Sequence, residues 1–209
     1  MNQSYKETKI KLFWEWFQQM EKQIKAFFTE EELVDKEALI EAINNKVLDF
    51  GTFSWQIGPG KNKPYYFTIS PNGNPEWLRV SRQIVRAAPE LRDWEFNHAK
   101  PAADWSEPFV LYDDFMMEQT IDPSDWEFVL LRSGPKLMKI ILSGSNLARL
   151  DLDTRLQAAT RIIINTIGEE HRINYISKIE VVEAFGEKHE EKAKPLAQLR
   201  TSFLSWLDS

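Results

Sequence analysis

The stretch Ile69–Pro101, ISPNGNPEWLRVSRQIVRAAPELRDWEFNHAKP, decides the fold class, because it holds a turn, a capped helix and a short strand in direct succession. Asn74 is suited to cap the free N–H groups of a helix start, and Pro75 follows at the first helical position, where a missing donor costs nothing. Pro89 ends the helix, since its ring clashes with the preceding turn and disfavours a helical Ala88. The helical period places Trp77, Val80, Ile84, Ala87 and Ala88 on an inward face and Arg79, Arg82 and Arg86 on the opposite one. From Trp94 the period drops to two, with Trp94 and Phe96 alternating against Glu95 and Asn97, so the chain returns as a strand.

Upstream, Thr52 to Ile69 also alternates. Phe53, Trp55 and Ile57 lead to a turn at Gly58-Pro59-Gly60, and Tyr65, Phe67 and Ile69 follow, which predicts a hairpin with one buried face. Before it, residues 4–28 read as a long amphipathic helix opened by a Ser4/Glu7 capping box, with Ile10, Phe13, Trp14, Phe17, Met20, Ile24, Phe27 and Phe28 on one stripe. Asp35 caps a second helix that ends near Gly51.

Downstream, residues 100–108 are a polar connector containing Asp104 and Trp105. Strands are expected at Phe109–Tyr112 and Phe115–Ile121, parted by Asp113-Asp114. Trp126–Leu131 and Leu137–Leu142 are apolar on both faces and read as central strands. A helix at about 154–167, capped by Asp151 or Asp153 and stopped at Gly168, leads to a strand at Ile176–Val182. A terminal helix takes Pro195 near its start and puts Leu196, Leu199, Phe203 and Leu207 on one face.

The expected fold is therefore α+β: mainly antiparallel sheet covered by helices, with a long N-terminal and a C-terminal helix. The chain reads as one compact domain, 1–209, with helical segments at 4–50 and 190–208. Within it, 52–100 and 126–184 share the order strand, strand, helix, strand, as two related units would.

Composition narrows the function classes. The chain of 209 residues is 43% hydrophobic and 28% charged, as globular proteins are, and has no cysteine, which removes disulfides, thiolate nucleophiles and sulfur-ligated zinc. A formal charge of -6 argues against nucleic acid as a partner, and no apolar run is long enough for a membrane span. A cytoplasmic protein is expected.

The segments FWEWF at 13–17, YYFTISPNGNPEWLRVSRQIVRAAPELRDWEF at 65–96 and INTIGEEHRINYISKIEVVE at 164–183 resemble a bacterial protein family of unknown function. The pattern is similar in its aromatic N-terminal helix, an Ala-Ala-Pro-x-Leu-x-x-Trp joint at Ala87–Trp94 and a Leu-Gly-Glu-like helix end, here Ile167-Gly168-Glu169. The likeness spans most of the chain and implies a bacterial source, but it carries no chemistry.

The candidates for chemistry are few. His98, His171 and His189 form no metal-binding spacing. A cleft bringing His98 to Glu169, Glu170 and His171 would suit a metal-assisted hydrolase, although a strand-end histidine is ordinarily just hydrogen-bonded and residues after a helix end are ordinarily solvated. Asp113 and Asp114 read as turn residues. Arg79, Arg82 and Arg86 would suit an acidic partner, against the plainer reading of a solvated face, and Trp16 and Trp105 fall off the apolar patterns as exposed contacts. With no catalytic signature and no cofactor motif, the leading expectation is a binding or protein-interaction domain whose partner is another protein or a second copy.

Overall fold

A stripe of aromatic and aliphatic residues at helical spacing makes the first helix, α1 (Gln3–Thr29), and buries Ile10, Phe13, Trp14, Phe17 and Ile24. The computed structural model describes residues 3–29, 35–103 and 107–208. Asp104 and Trp105 lie outside the described residues, as do the side chains of Ser4 and Phe28. The architecture is α+β, with mainly antiparallel sheets. Contacts divide the chain into two compact units, Met1–Lys100 and Pro101–Ser209, and the boundary falls at the polar connector.

In the first unit, Asp35 caps α2 (Lys36–Leu48) by accepting from the Ala38 N–H. At Gly51, φ is +141° and the ring of Trp77 stands 2.6 Å from where a Cβ would be, so only glycine fits. Strand β1 (Ser54–Pro59) pairs antiparallel with β2 (Tyr65–Ser70), and after α3 (Pro75–Arg86) the chain returns as β3 (Trp94–Asn97), parallel to β2. The sheet order β1-β2-β3 makes β2 central. Its run Phe67 to Ser70 is accordingly buried on both faces, a correction to the hairpin with one buried face. The aromatic stripe of α1 covers Phe67, with Phe17 at 5.1 Å, and Phe17 also meets Trp94 and Phe96 in edge-on contacts. Lys25 Nζ joins α1 to the turn before β3 through Asp93 at 2.6 Å.

Helix α3 begins where expected, Asn74 Oδ1 accepting from the Glu76 and Trp77 N–H groups. Its buried line is Leu78, Ser81 and Ile84, with Trp77 and Val80 half-buried and Ala87 exposed. The inward face is thus rotated from the expected one, because Trp77 lies at its margin, against Phe53 and over Gly51.

In the second unit, β4 (Phe109–Tyr112) and β5 (Glu118–Ile121) form a two-stranded hairpin. Strands β6 (Glu127–Gly134) and β7 (Leu137–Ser143) pair antiparallel at the centre of a sheet whose order is β8-β7-β6-β9, which bears out their apolar faces. Asp151 caps α4 (Leu152–Ile167) through Thr154, and α5 (Glu169–Tyr175) follows across Gly168 before β8 (Ile176–Val182) runs parallel to β7. Ala158, Ala159, Ile162 and Ile163 of α4 pack on Phe128, Ile140 and Leu142 of the sheet. After the short α6 (Glu187–Glu190), β9 (Lys194–Pro195) closes the edge beside β6 and α7 (Leu199–Leu207) ends the fold. Pro195 ends this edge strand, where its missing donor is harmless, and directly precedes the helical turn Leu196–Gln198 that leads into α7.

Candidate functional site

The first unit carries an open groove of about 910 Å³ between the first half of α1 and the end of α3. Two local facts shape it. The Trp14 indole N–H donates to the Ile84 carbonyl at 2.8 Å, which ties the two helices together, and Pro89 turns the chain away just past α3. Ile10, Trp14, Ala87 and Pro89 make an apolar floor, while Lys6, Glu7, Lys11, Glu15, Gln18, Gln83 and Arg86 stand around it. Lys11 pairs with Glu15 across one helical turn at 3.7 Å. Of the three arginines on α3, Arg86 is the one that lines the groove. Arg79 and Arg86 are exposed and form no ion pair among the described residues, whereas Arg82 is half-buried.

The candidates for acid–base or metal chemistry belong to different units. His98 is half-buried just past β3 in the first, and Glu169, Glu170 and His171 open α5 in the second. Glu169 is 1% exposed, a correction to the expectation that residues after the helix end are solvated. The reason is Gly168, whose φ of 86° and ψ of 151° let α4 stop and α5 restart at once, carrying Glu169 inward. His171 Nδ1 donates to the Ile167 carbonyl at 2.7 Å, and its ring packs beside Phe203 and Tyr175. That bond places the proton on Nδ1 and orients the imidazole as part of the packing. Among the described residues no three His, Asp or Glu side chains converge on a metal position.

The third feature was not legible in the pattern. Phe115, Met116 and Met117, expected at the start of a strand, form the tip of the β4–β5 hairpin and are 87%, 75% and 62% exposed. The loop is built by Asp113, whose Oδ1 accepts from the Phe115 and Met117 N–H groups while Oδ2 accepts from Gln119. The Asp113 N–H donates to the Met117 carbonyl, and Met116 takes a φ of +59°, unusual for a side chain of its size. The Met117 N–H, with help from Gln119 and Phe115, holds the Asp113 carboxyl below the usual carboxylate range. Inside the hairpin Phe109 and Leu111 face the core, and on the outer face Val110 and Tyr112 are exposed. Three large apolar residues after an Asp-Asp pair were the available signal, but β-propensity alone extends the strand through them.

Trp94 and Trp126 are buried as expected, and Trp55 and Trp77 are half-buried. Trp16 is corrected from an exposed contact to a half-buried one, packed near Phe13 with Lys46 Nζ 5.8 Å from its ring centre. Among the described residues no helix is long and apolar enough to cross a membrane. The chain matches no protein-family model, no curated protein and no solved structure.

Proposed function

We propose that this chain is a non-catalytic protein-interaction domain that takes a polypeptide segment with apolar and acidic side chains into the groove between α1 and α3. The observation that carries the reading is the groove itself: an apolar floor of Ile10, Trp14 and Pro89 under a polar rim, of a size typical for ligand sites. Arg86 supplies a guanidinium with no competing ion pair among the described residues, and Arg82 and Arg79 continue its row along α3. The floor would give affinity and the rim orientation.

The shared connectivity of β1, β2, α3, β3 and of β6, β7, α4, β8, each an antiparallel pair followed by a parallel return, supports reading the units as an internal repeat. The family resemblance and the cysteine-free composition support a bacterial cytoplasmic protein.

The test is fluorescence anisotropy with labelled peptides that alternate acidic and apolar residues, against scrambled and basic controls. Arg86→Glu, a change at an exposed position, is expected to weaken binding by about tenfold, and Gln83→Trp, which fills the groove, to abolish it. Peptides that bind both variants as well as the native chain would overturn the site. Turnover of phosphatase, esterase or nuclease substrates that is lost on Glu169→Gln would overturn the non-catalytic reading.

A further inference from the structure

We propose that the segment received by the α1–α3 groove is the hairpin tip Asp113–Glu118 of a second copy of this chain. The proposal rests on the reading of the groove as a peptide-docking site. A tight turn needs no apolar side chains, and a polar residue or glycine would satisfy Met116's φ of +59° at lower cost. Instead Phe115, Met116 and Met117 stand in water on a loop whose backbone is tied by Asp113, which lowers the backbone part of the ordering cost of docking. Within the second unit no described residue covers the tip, and a second copy is the surface that would.

Charge selects which one. Asp113, Asp114 and Glu118 surround the apolar tip, and Asp151 lies close enough for its charge to act on Asp113. An anionic lipid surface would repel such a rim. The groove offers the complement: Trp14 and Ile10 below, three cations, Lys6, Lys11 and Arg86, against two carboxylates, Glu7 and Glu15, and the arginine row beyond. A groove of about 910 Å³ has room for three large side chains and the turn that carries them.

One tip and one groove per chain make a heterologous contact, which adds copies head to tail until a ring closes. The native chain, of 24.5 kDa, is therefore expected in sedimentation velocity to rise past twice its monomer mass over two decades of concentration. A tip variant, Phe115→Ser with Met116→Gly, and a groove variant, Arg86→Glu with Gln83→Trp, should each stay monomeric alone. Glycine relieves the positive φ at Met116, so loss of association by the tip variant is separable from loss of folding, which circular dichroism checks. Mixed, the two variants retain one intact groove and one intact tip and should form a one-to-one dimer that grows no further. A native chain of constant mass, growth that survives either variant, or a mixture that stays monomeric overturns the proposal. If acidic apolar peptides still bind the native groove in an Arg86-dependent way when self-association is absent, only the identity of the occupant fails. If they do not, the groove reading falls with it.

Discussion

Two buried tryptophans in the first unit form a matched pair for measuring one hydrogen bond. Trp14 and Trp94 are 3% and 1% exposed, and both meet Phe17 edge-on, at 5.6 and 5.1 Å. They differ at the indole nitrogen: Trp14 Nε1 donates to the Ile84 carbonyl at 2.8 Å, while Trp94 Nε1 is buried with no hydrogen-bond partner among the described residues. Substituting phenylalanine removes the same atoms at both sites, so the volume term is shared and largely cancels. At Trp14 the change also loses a net hydrogen bond of about 0.5 to 1.5 kcal/mol, but no orphaned acceptor, because the Ala87 N–H still reaches the Ile84 carbonyl at 3.2 Å. At Trp94 it removes an unsatisfied donor and recovers roughly 1 to 3 kcal/mol. Trp14→Phe should therefore be less stable than Trp94→Phe by roughly 1.5 to 4.5 kcal/mol. Urea unfolding followed by far-ultraviolet circular dichroism reads the difference without depending on tryptophan emission. For a unit of this size the thermal midpoints should lie roughly 6 °C or more apart. Equal destabilisation within about 0.5 kcal/mol, or the larger loss at Trp94, would refute the assignment of the Trp14 bond as the tie between α1 and α3.

Two further outcomes test the second unit. Gly168 holds φ 86° and ψ 151°, a region open in practice to glycine alone, so Gly168→Ala should cost about 1 to 3 kcal/mol in urea unfolding. An unchanged midpoint would show that the α4–α5 junction is not held in that conformation. Asp113 titrates below its ordinary range because the Met117 N–H, Gln119 and the Phe115 N–H bind its charged form. A depressed carboxylate contributes order that is full above the unfolded value, about 3.9, and is lost as pH falls through the lower folded value. The amide resonances of Phe115 and Met117 should accordingly titrate with a midpoint below that value, and a midpoint at or above it would contradict the clamp.

The parts legible in the sequence are those whose causes lie within a few residues. Asn74 and Asp35 cap the helices that follow them, Asp151 does so of the two aspartates the sequence offers, and Pro75 stands at the first helical position, because a side-chain acceptor and two or three free N–H groups suffice for a cap. The strands β1, β2 and β3 and the central place of β6 and β7 likewise survive folding, whereas the alternation in β2 gives way to burial on both faces because strands flank it on either side. Locality also explains the failures. The buried line of α3 through Leu78, Ser81 and Ile84 depends on where Trp77 is received by Phe53 and Gly51, and the period alone is satisfied by a neighbouring face. The burial of Glu169 depends on an immediate helix restart, which a glycine between two helical segments does not specify by itself.

The candidate site divides in the same way. The sequence by itself determined the aromatic face of α1, the arginine row of α3 and the stop at Pro89, each a matter of spacing along one helix. Only the tertiary structure decided that Trp14 meets Ile84, 70 residues away, and so that a groove opens between those helices with Arg86 on its rim. It also decided that Phe115 to Met117 leave the strand for solvent. Burial and exposure are set by what a neighbouring element covers, and a single chain position carries no record of that neighbour.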